Sequence, residues 1–194
     1  GKPVLMHSIE KFSPFCKSVV VALPEDFISH WTALCHKFRF QIPHAIASGG
    51  ISRSASVFNG LMQIEEDGLV AIHDAARPLV SETLIRLIFS EAQERGNAVP
   101  CIPLNDSIRK IDGIRNRAVN RSDFRLIQTP QCFILSKLKD AFLKYHPMDF
   151  TDEASLMEMA GESIHLVEGD IANFKITSPA DLSLAEIFFG KKDV

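Results

Sequence analysis

Ala71-Ile72-His73-Asp74-Ala75-Ala76-Arg77-Pro78-Leu79-Val80 is the stretch on which the fold reading turns. The apolar run from Leu69 to Ile72 reads as a buried strand. It runs directly into a His, an Asp and an Arg, and a proline stops the extension. Charged groups therefore sit at the carboxyl end of a central strand, where open α/β sheets bind their ligands. Acid and base together at such an edge suit a phosphorylated substrate and its metal. A purely structural Asp74–Arg77 pair closing the turn is the alternative at this point.

Strand-like and helix-like stretches alternate on either side. Ser18 to Leu23 is an apolar, β-branched run, and Pro24-Glu25-Asp26 opens a helix with Phe27, Trp31, Leu34 and Phe38 on one face. His44 to Ala47 is a short strand, followed by Gly49-Gly50-Ile51-Ser52-Arg53-Ser54-Ala55-Ser56-Val57 and a helix through Leu61 and Ile64. Paired glycines let a backbone approach a ligand, and a helix start supplies donors, though a plain strand-turn-helix connection also uses glycine. Ser81 caps a helix that ends at Gly96, and Ala98 to Ile102 is the next strand. A helix over Val4 to Phe12 precedes all of these. The alternation predicts an α/β domain with a mostly parallel, Rossmann-like sheet flanked by helices.

The rhythm breaks after residue 105. Asp106 to Ile111 and Arg115 to Asn120 flank Asp112-Gly113, a hairpin-turn signal. Both strands are polar on both sides, and Lys or Arg stands at 109, 110, 115, 117, 121 and 125. A projecting arm over 105–122 that packs on a second subunit accounts for this pattern. A solvated hairpin or an RNA-binding arm are the other readings, the latter without the aromatic platform it needs. Gln128 to Phe133 then returns to the domain, and a helix runs from about Ser136 to Tyr145. Thr151 reads as the cap of an acid-rich helix start, Ile164 to Val167 and Asn173 to Thr177 as strands, and Ser178-Pro179-Ala180-Asp181 as the cap of the last helix. Lys175, inside its strand, lies either at an edge or aimed into the site.

Bulk properties narrow the class. The 194 residues form one domain, 1–194, at 46% hydrophobic and 23% charged. A net charge of -3 argues against a general nucleic-acid or membrane-surface binder. No apolar run approaches a membrane span, and nothing in the sequence looks like a signal peptide. Cys16, Cys35, Cys101 and Cys132 are far apart, without a C-x-x-C pair, and read as reduced core or near-core residues, from which a cytoplasmic protein is expected. The histidines form no zinc-binding spacing.

Five motifs occur in order: Gly49-Gly50-x-x-Arg53-x-x-Ser56-Val57, His73-Asp74-Ala75-Ala76-Arg77-Pro78, Gln128-Thr129-Pro130-Gln131, Thr151-Asp152-Glu153-Ala154-Ser155 and Asn173-x-Lys175-Ile176-Thr177. In order and spacing the chain resembles the 2-C-methyl-D-erythritol 4-phosphate cytidylyltransferases. The resemblance implies that CTP and the polyol phosphate are joined to give 4-diphosphocytidyl-2-C-methyl-D-erythritol and pyrophosphate, with Mg²⁺, in isoprenoid precursor synthesis. It implies that Gly50, Ser56, Ala75 and Thr129 bind the nucleotide, and that Asp74, Arg77, Ser107 and Thr151 bind substrate. Asp74 also serves the metal. Lys175 and Arg121 position the attacking phosphate, with Ser107 and Arg121 reaching into the neighbouring subunit of a homodimer. Ser107 stands where the family often has Thr. Family members also carry a strand and a Gly-rich loop with an Arg and a Pro-Lys-Gln, and Gly1-Lys2-Pro3-Val4-Leu5 matches the segment after it. The expectation is therefore that this strand and loop precede Gly1, and that Lys2 is not the family's loop lysine. A ribitol 5-phosphate cytidylyltransferase is the nearest alternative, against which Ala76 stands where that relative tends to have Val. A non-catalytic nucleotide-binding scaffold is the other.

Overall fold

The structure, a computed structural model, describes residues 1–190. Residues 191–194 of the expected domain lie outside the described residues. The chain forms α1 (Val4–Phe12), β1 (Val20–Leu23), α2 (Glu25–Phe38), β2 (Ala45–Ser48), α3 (Arg53–Met62), β3 (Leu69–Ile72), α4 (Glu82–Arg95) and β4 (Asn97–Pro103). It continues through β5 (Arg109–Asp112), β6 (Arg115–Ala118), β7 (Arg125–Ile127), β8 (Gln131–Ile134), α5 (Leu135–Tyr145), α6 (Glu153–Met159), β9 (Leu166–Glu168) and α7 (Pro179–Gly190).

The core follows from the period-two alternation of strand side chains. Ala98 and Cys132 face α4, in a cluster with Val80, Leu84, Ile85 and Ile88. Their neighbours Val99 and Phe133 face the other way, against Leu138 and Phe142 of α5 and Leu156 of α6. Two apolar faces on one sheet demand helices on both sides, and the sequence supplies them. Met6, Ile9, Val21 and Trp31 form a further cluster where α1 and α2 cover β1. Phe27 of α2 stays 58% exposed, so the apolar face expected of that helix is only partly buried.

The sheet is of mixed orientation, which corrects the mostly parallel expectation. β1 and β2 are parallel, as are β4 and β9, but β8 lies antiparallel to both β3 and β4, and β7 antiparallel to β4. The chain leaves the domain along β4, turns in the arm and comes straight back as β7 and β8 without a crossover helix. A direct return of that kind can only run antiparallel. Asn173 to Thr177, expected as a strand, is instead an extended loop, tied down where the Ile176 N–H donates to the Ala76 carbonyl at 2.8 Å. Among the described residues, β1 pairs only with β2 and β3 only with β8. A cavity of about 650 Å³ lies between these open edges, lined by Val20–Leu23, Leu69–Ile72, Arg53, Ser56 and Asp74.

The arm is a separate two-stranded sheet, β5 with β6, in which Arg109 faces Ala118 and Asp112 faces Arg115. Gly113 (φ 57°) and Ile114 therefore make the turn, one residue later than Asp112-Gly113. Every residue of both strands is exposed. Ile111 and Ile114 are 67% and 101% exposed, which leaves apolar tips on an otherwise polar arm.

Candidate active site

β3 delivers His73-Asp74 beyond its last paired residue, as its position in the sheet requires. A hydrogen-bonded chain holds the turn. The Asp74 N–H donates to Thr129 Oγ1 at 3.0 Å, and the same hydroxyl lies 3.2 Å from His73 Nδ1. His73 Nε2 lies 3.1 Å from the Arg77 carbonyl. Burial lowers the His73 pKa from 6.5 to about 4, so the ring is neutral at pH 7 and carries one N–H. A carbonyl can only accept, which places that proton on Nε2 and leaves bare Nδ1 to accept from Thr129. Thr129 is 4% exposed, its hydroxyl accepting from the Asp74 N–H and donating to His73 Nδ1. That hydroxyl braces the turn that carries Asp74.

Asp74 is the hub of the cluster. Its Oδ2 lies 3.1 Å from Lys175 Nζ and 3.4 Å from Arg77 Nε, and its Oδ1 lies 3.6 Å from Arg53 Nε. Burial alone would raise its carboxyl pKa. Lys175, then Arg53 and Arg77, outweigh that and hold it below the ordinary value. Lys175 is thus aimed into the site and not at a sheet edge. Its loop is stitched to the strand end: Arg77 Nη1 donates to the Asn173 carbonyl at 2.9 Å, and Asn173 Nδ2 donates to the Thr129 carbonyl at 2.8 Å. Asn173 is fully buried, and its Oδ1 has no partner.

Arg53 forks onto Glu153 as well, Nη1 to Oε1 at 2.6 Å and Nη2 to Oε2 at 2.9 Å. Glu153 is 1% exposed; burial pushes its pKa up against the pull of Arg53. The ensemble is three cations, Arg53, Arg77 and Lys175, around two carboxylates, Asp74 and Glu153. With Asp152 acting on Arg53 as well, the formal charges balance, and what suits an anionic ligand is the convergence of three cations on one point.

The Gly49-Gly50 loop borders this cluster. The Gly50 N–H donates to Ser56 Oγ at 3.0 Å, and a Cβ at Gly50 would overlap Ala55. Exposed Ala75 accepts at its carbonyl from Ser8 Oγ at 2.9 Å. Thr151 is exposed beside the site, but the N-cap of α6 is Asp152, whose side chain accepts from the Ser155 N–H. The shift by one residue frees Thr151 from the capping role expected of it. Gln131 secures this terminus, donating to Asp152 Oδ2 at 3.1 Å and accepting from the Ala154 N–H at 3.0 Å. Ser107 and Arg121 lie exposed on or beside the arm, with Arg121 donating to the Asn105 carbonyl. Within one chain they do not join the Asp74 cluster through any hydrogen bond or ion pair described.

Sequence reasoning assigned no role to His73, Arg53, Glu153, Gln131 or Asn173. Arg53 and Glu153 stood inside recognised motifs, but 100 positions separate them, and no local pattern signals such a pair.

Fold and cluster together define an α/β protein with a charged cluster at the carboxyl end of a sheet strand, the place where such sheets bind their ligands. A family model described as 2-C-methyl-D-erythritol 4-phosphate cytidylyltransferase matches residues 1–191, and the chain belongs to that family. The Azobacteroides pseudotrichonymphae protein of that name is 43% identical over 190 residues, covering 96% of this chain and 85% of the relative. The one from Porphyromonas gingivalis is 40% identical over 188 residues, with the same coverage, 96% and 85%. Among solved structures, the Thermus thermophilus enzyme of this name superposes with a TM-score of 0.84 at 34% identity, covering 97% of this chain and 89% of that one.

Proposed function

We propose that this chain joins CTP to 2-C-methyl-D-erythritol 4-phosphate, releasing pyrophosphate, as a step in isoprenoid precursor synthesis. The observation that carries the reading is the convergence of Arg53, Arg77 and Lys175 on Asp74 beside a glycine loop. An oxygen of the polyol phosphate attacks the α-phosphorus of CTP. The bond to the β-phosphate bridging oxygen breaks, and pyrophosphate leaves with that electron pair. The nucleophile is already an anion, so positioning and charge neutralisation do most of the work and no strong base is required. This matches a site whose histidine is neutral and locked in a structural role.

Gly50, Ser56, Thr129 and the backbone at Ala75 hold the nucleotide. Thr151, Arg77 and Lys175 hold the polyol phosphate, and Lys175 leaves Asp74 to do so. Asp74 offers the single carboxylate that Mg²⁺ takes beside phosphate oxygens; no group of three or more His, Cys, Asp or Glu side chains among the described residues could hold a metal alone. The ion, when bound, supplies charge neutralisation on the triphosphate.

The exposed apolar tips Ile111 and Ile114 support a homodimer in which the arm crosses to the neighbour and brings Ser107 and Arg121 to its site. Open edges of β1 and β3 facing one largely apolar cavity support the expectation of a further strand, with its Gly-rich loop, at this place. No described helix is long and apolar enough to cross a membrane. Our reading places the enzyme in the cytoplasm with its phosphorylated substrates.

The test, on a protein that carries the family's strand and Gly-rich loop ahead of Gly1, is pyrophosphate release from CTP with each of two acceptors, 2-C-methyl-D-erythritol 4-phosphate and ribitol 5-phosphate. Turnover with the first alone is expected. Turnover with ribitol phosphate alone would transfer the chain to the other specificity, and none with either would leave a binding scaffold.

A further inference from the structure

Arg53 and Glu153 are each the first residue of a helix, α3 and α6. The α3 terminus carries the Gly50–Ser56 loop, and the α6 terminus follows Thr151 directly. Each side chain carries a local cost: Arg53 lies against its helix dipole, and Glu153, though favoured by the dipole at the start of α6, is buried. A carboxylate as buried as Glu153, 1% exposed, loses hydration that its partner only partly restores. Yet the fork is bidentate, at 2.6 and 2.9 Å, and the same guanidinium reaches Asp74 at 3.6 Å. One planar cation thus joins both helix termini and the hub between them.

Resting on the function proposed above, we infer that the Arg53–Glu153 pair is a positioning element that couples the two halves of the site. A nucleotide that settles on the Gly50–Ser56 loop fixes the first turn of α3 and with it the guanidinium. The fork then fixes Glu153 and the Thr151–Asp152 entry to α6, where the polyol phosphate binds. Gln131 keeps that entry rigid through Asp152 and Ala154, so the constraint reaches Thr151. The second ligand therefore meets a site already ordered and binds more tightly, and by linkage the effect is reciprocal. Neither Arg53 nor Glu153 has to touch substrate for this.

Calorimetric titration of the whole chain tests it, with Mg²⁺, an unreactive α,β-methylene CTP and 2-C-methyl-D-erythritol 4-phosphate. Each ligand is titrated alone and with the other at saturation. In the unmodified chain each is expected to tighten the other by about fivefold or more, the lower end of ordinary coupling. Glu153→Gln keeps the shape and removes the charge, and Arg53→Lys keeps the charge and removes the fork. Both are expected to bring the ratio close to unity while the ligands still bind singly. A merely structural pair would lower the melting temperature and leave the ratio intact. If Glu153→Gln does not fold, Arg53→Lys reads the same ratio. Binding of both ligands without coupling in the unmodified chain, or coupling retained in a folded variant, overturns the inference. Failure of the unmodified chain to bind either ligand instead overturns the proposed function.

Discussion

Replacing Thr129 by valine isolates the hydrogen-bonded chain that holds Asp74. Valine has nearly the same shape, so the change opens no cavity at a position only 4% exposed. What disappears is one hydroxyl with two partners, the Asp74 N–H at 3.0 Å and His73 Nδ1 at 3.2 Å. Each is left without a partner in a poorly hydrated place, at about 1–3 kcal/mol apiece. The two losses share one atom and are not fully additive, so about 3 kcal/mol in total is expected. Urea denaturation followed by circular dichroism measures it. Thr129→Ser keeps the hydroxyl and loses a buried methyl, so it should lose only about 1 kcal/mol. A Thr129→Val protein within about 0.5 kcal/mol of the parent, the range of neutral surface changes, would refute the network. So would a serine variant as unstable as the valine one.

Acid should weaken the fold through His73. Its folded pKa of about 4 lies below the ordinary 6.5 because of burial, so the unfolded chain takes up the proton first. The stabilisation is complete above pH 6.5 and is lost as pH falls toward 4; between about pH 7 and about pH 5 the share is about 2 kcal/mol. Unfolding free energies of parent and His73→Asn should therefore converge over that interval, and parallel curves would rule the assignment out. Gly50→Ala drives a Cβ into Ala55 and displaces the Gly50–Ser56 contact, so nucleotide affinity should drop by about tenfold or more. Unchanged affinity by titration would remove this loop from the site. Lys175→Ala and Arg121→Ala should each abolish most turnover. Mixed subunits should regain about a quarter of parental activity, since half of random dimers are mixed and each of those has one intact site. No recovery would confine Arg121 to its own chain.

Strands and helices were legible because each buries a periodic apolar face: Ala98 and Val99, or Cys132 and Phe133, announce a two-sided sheet by alternation alone. The ends were less so. Thr151 and Asp152 are both good capping residues, and only the Gln131 contact from β8 shows that Asp152 fills the place. Asn173 to Thr177 has strand-forming residues, yet its backbone is spent on Arg77 and Ala76 in place of a ladder.

The sequence by itself determined the α/β class, the positions of nearly all helices, the projecting hairpin and the glycine and His-Asp-Arg motifs that mark the site. These depend on local periodicity and on residue types close together in the chain. Only the tertiary structure decided that the sheet is mixed, that His73 is a neutral strut, and that Thr129 serves Asp74. It also brought Lys175 to Asp74 and Arg53 to Glu153. Strand direction depends on how the chain returns, and an ion pair between distant positions depends on where two elements meet. Neither leaves a mark on the residues alongside it.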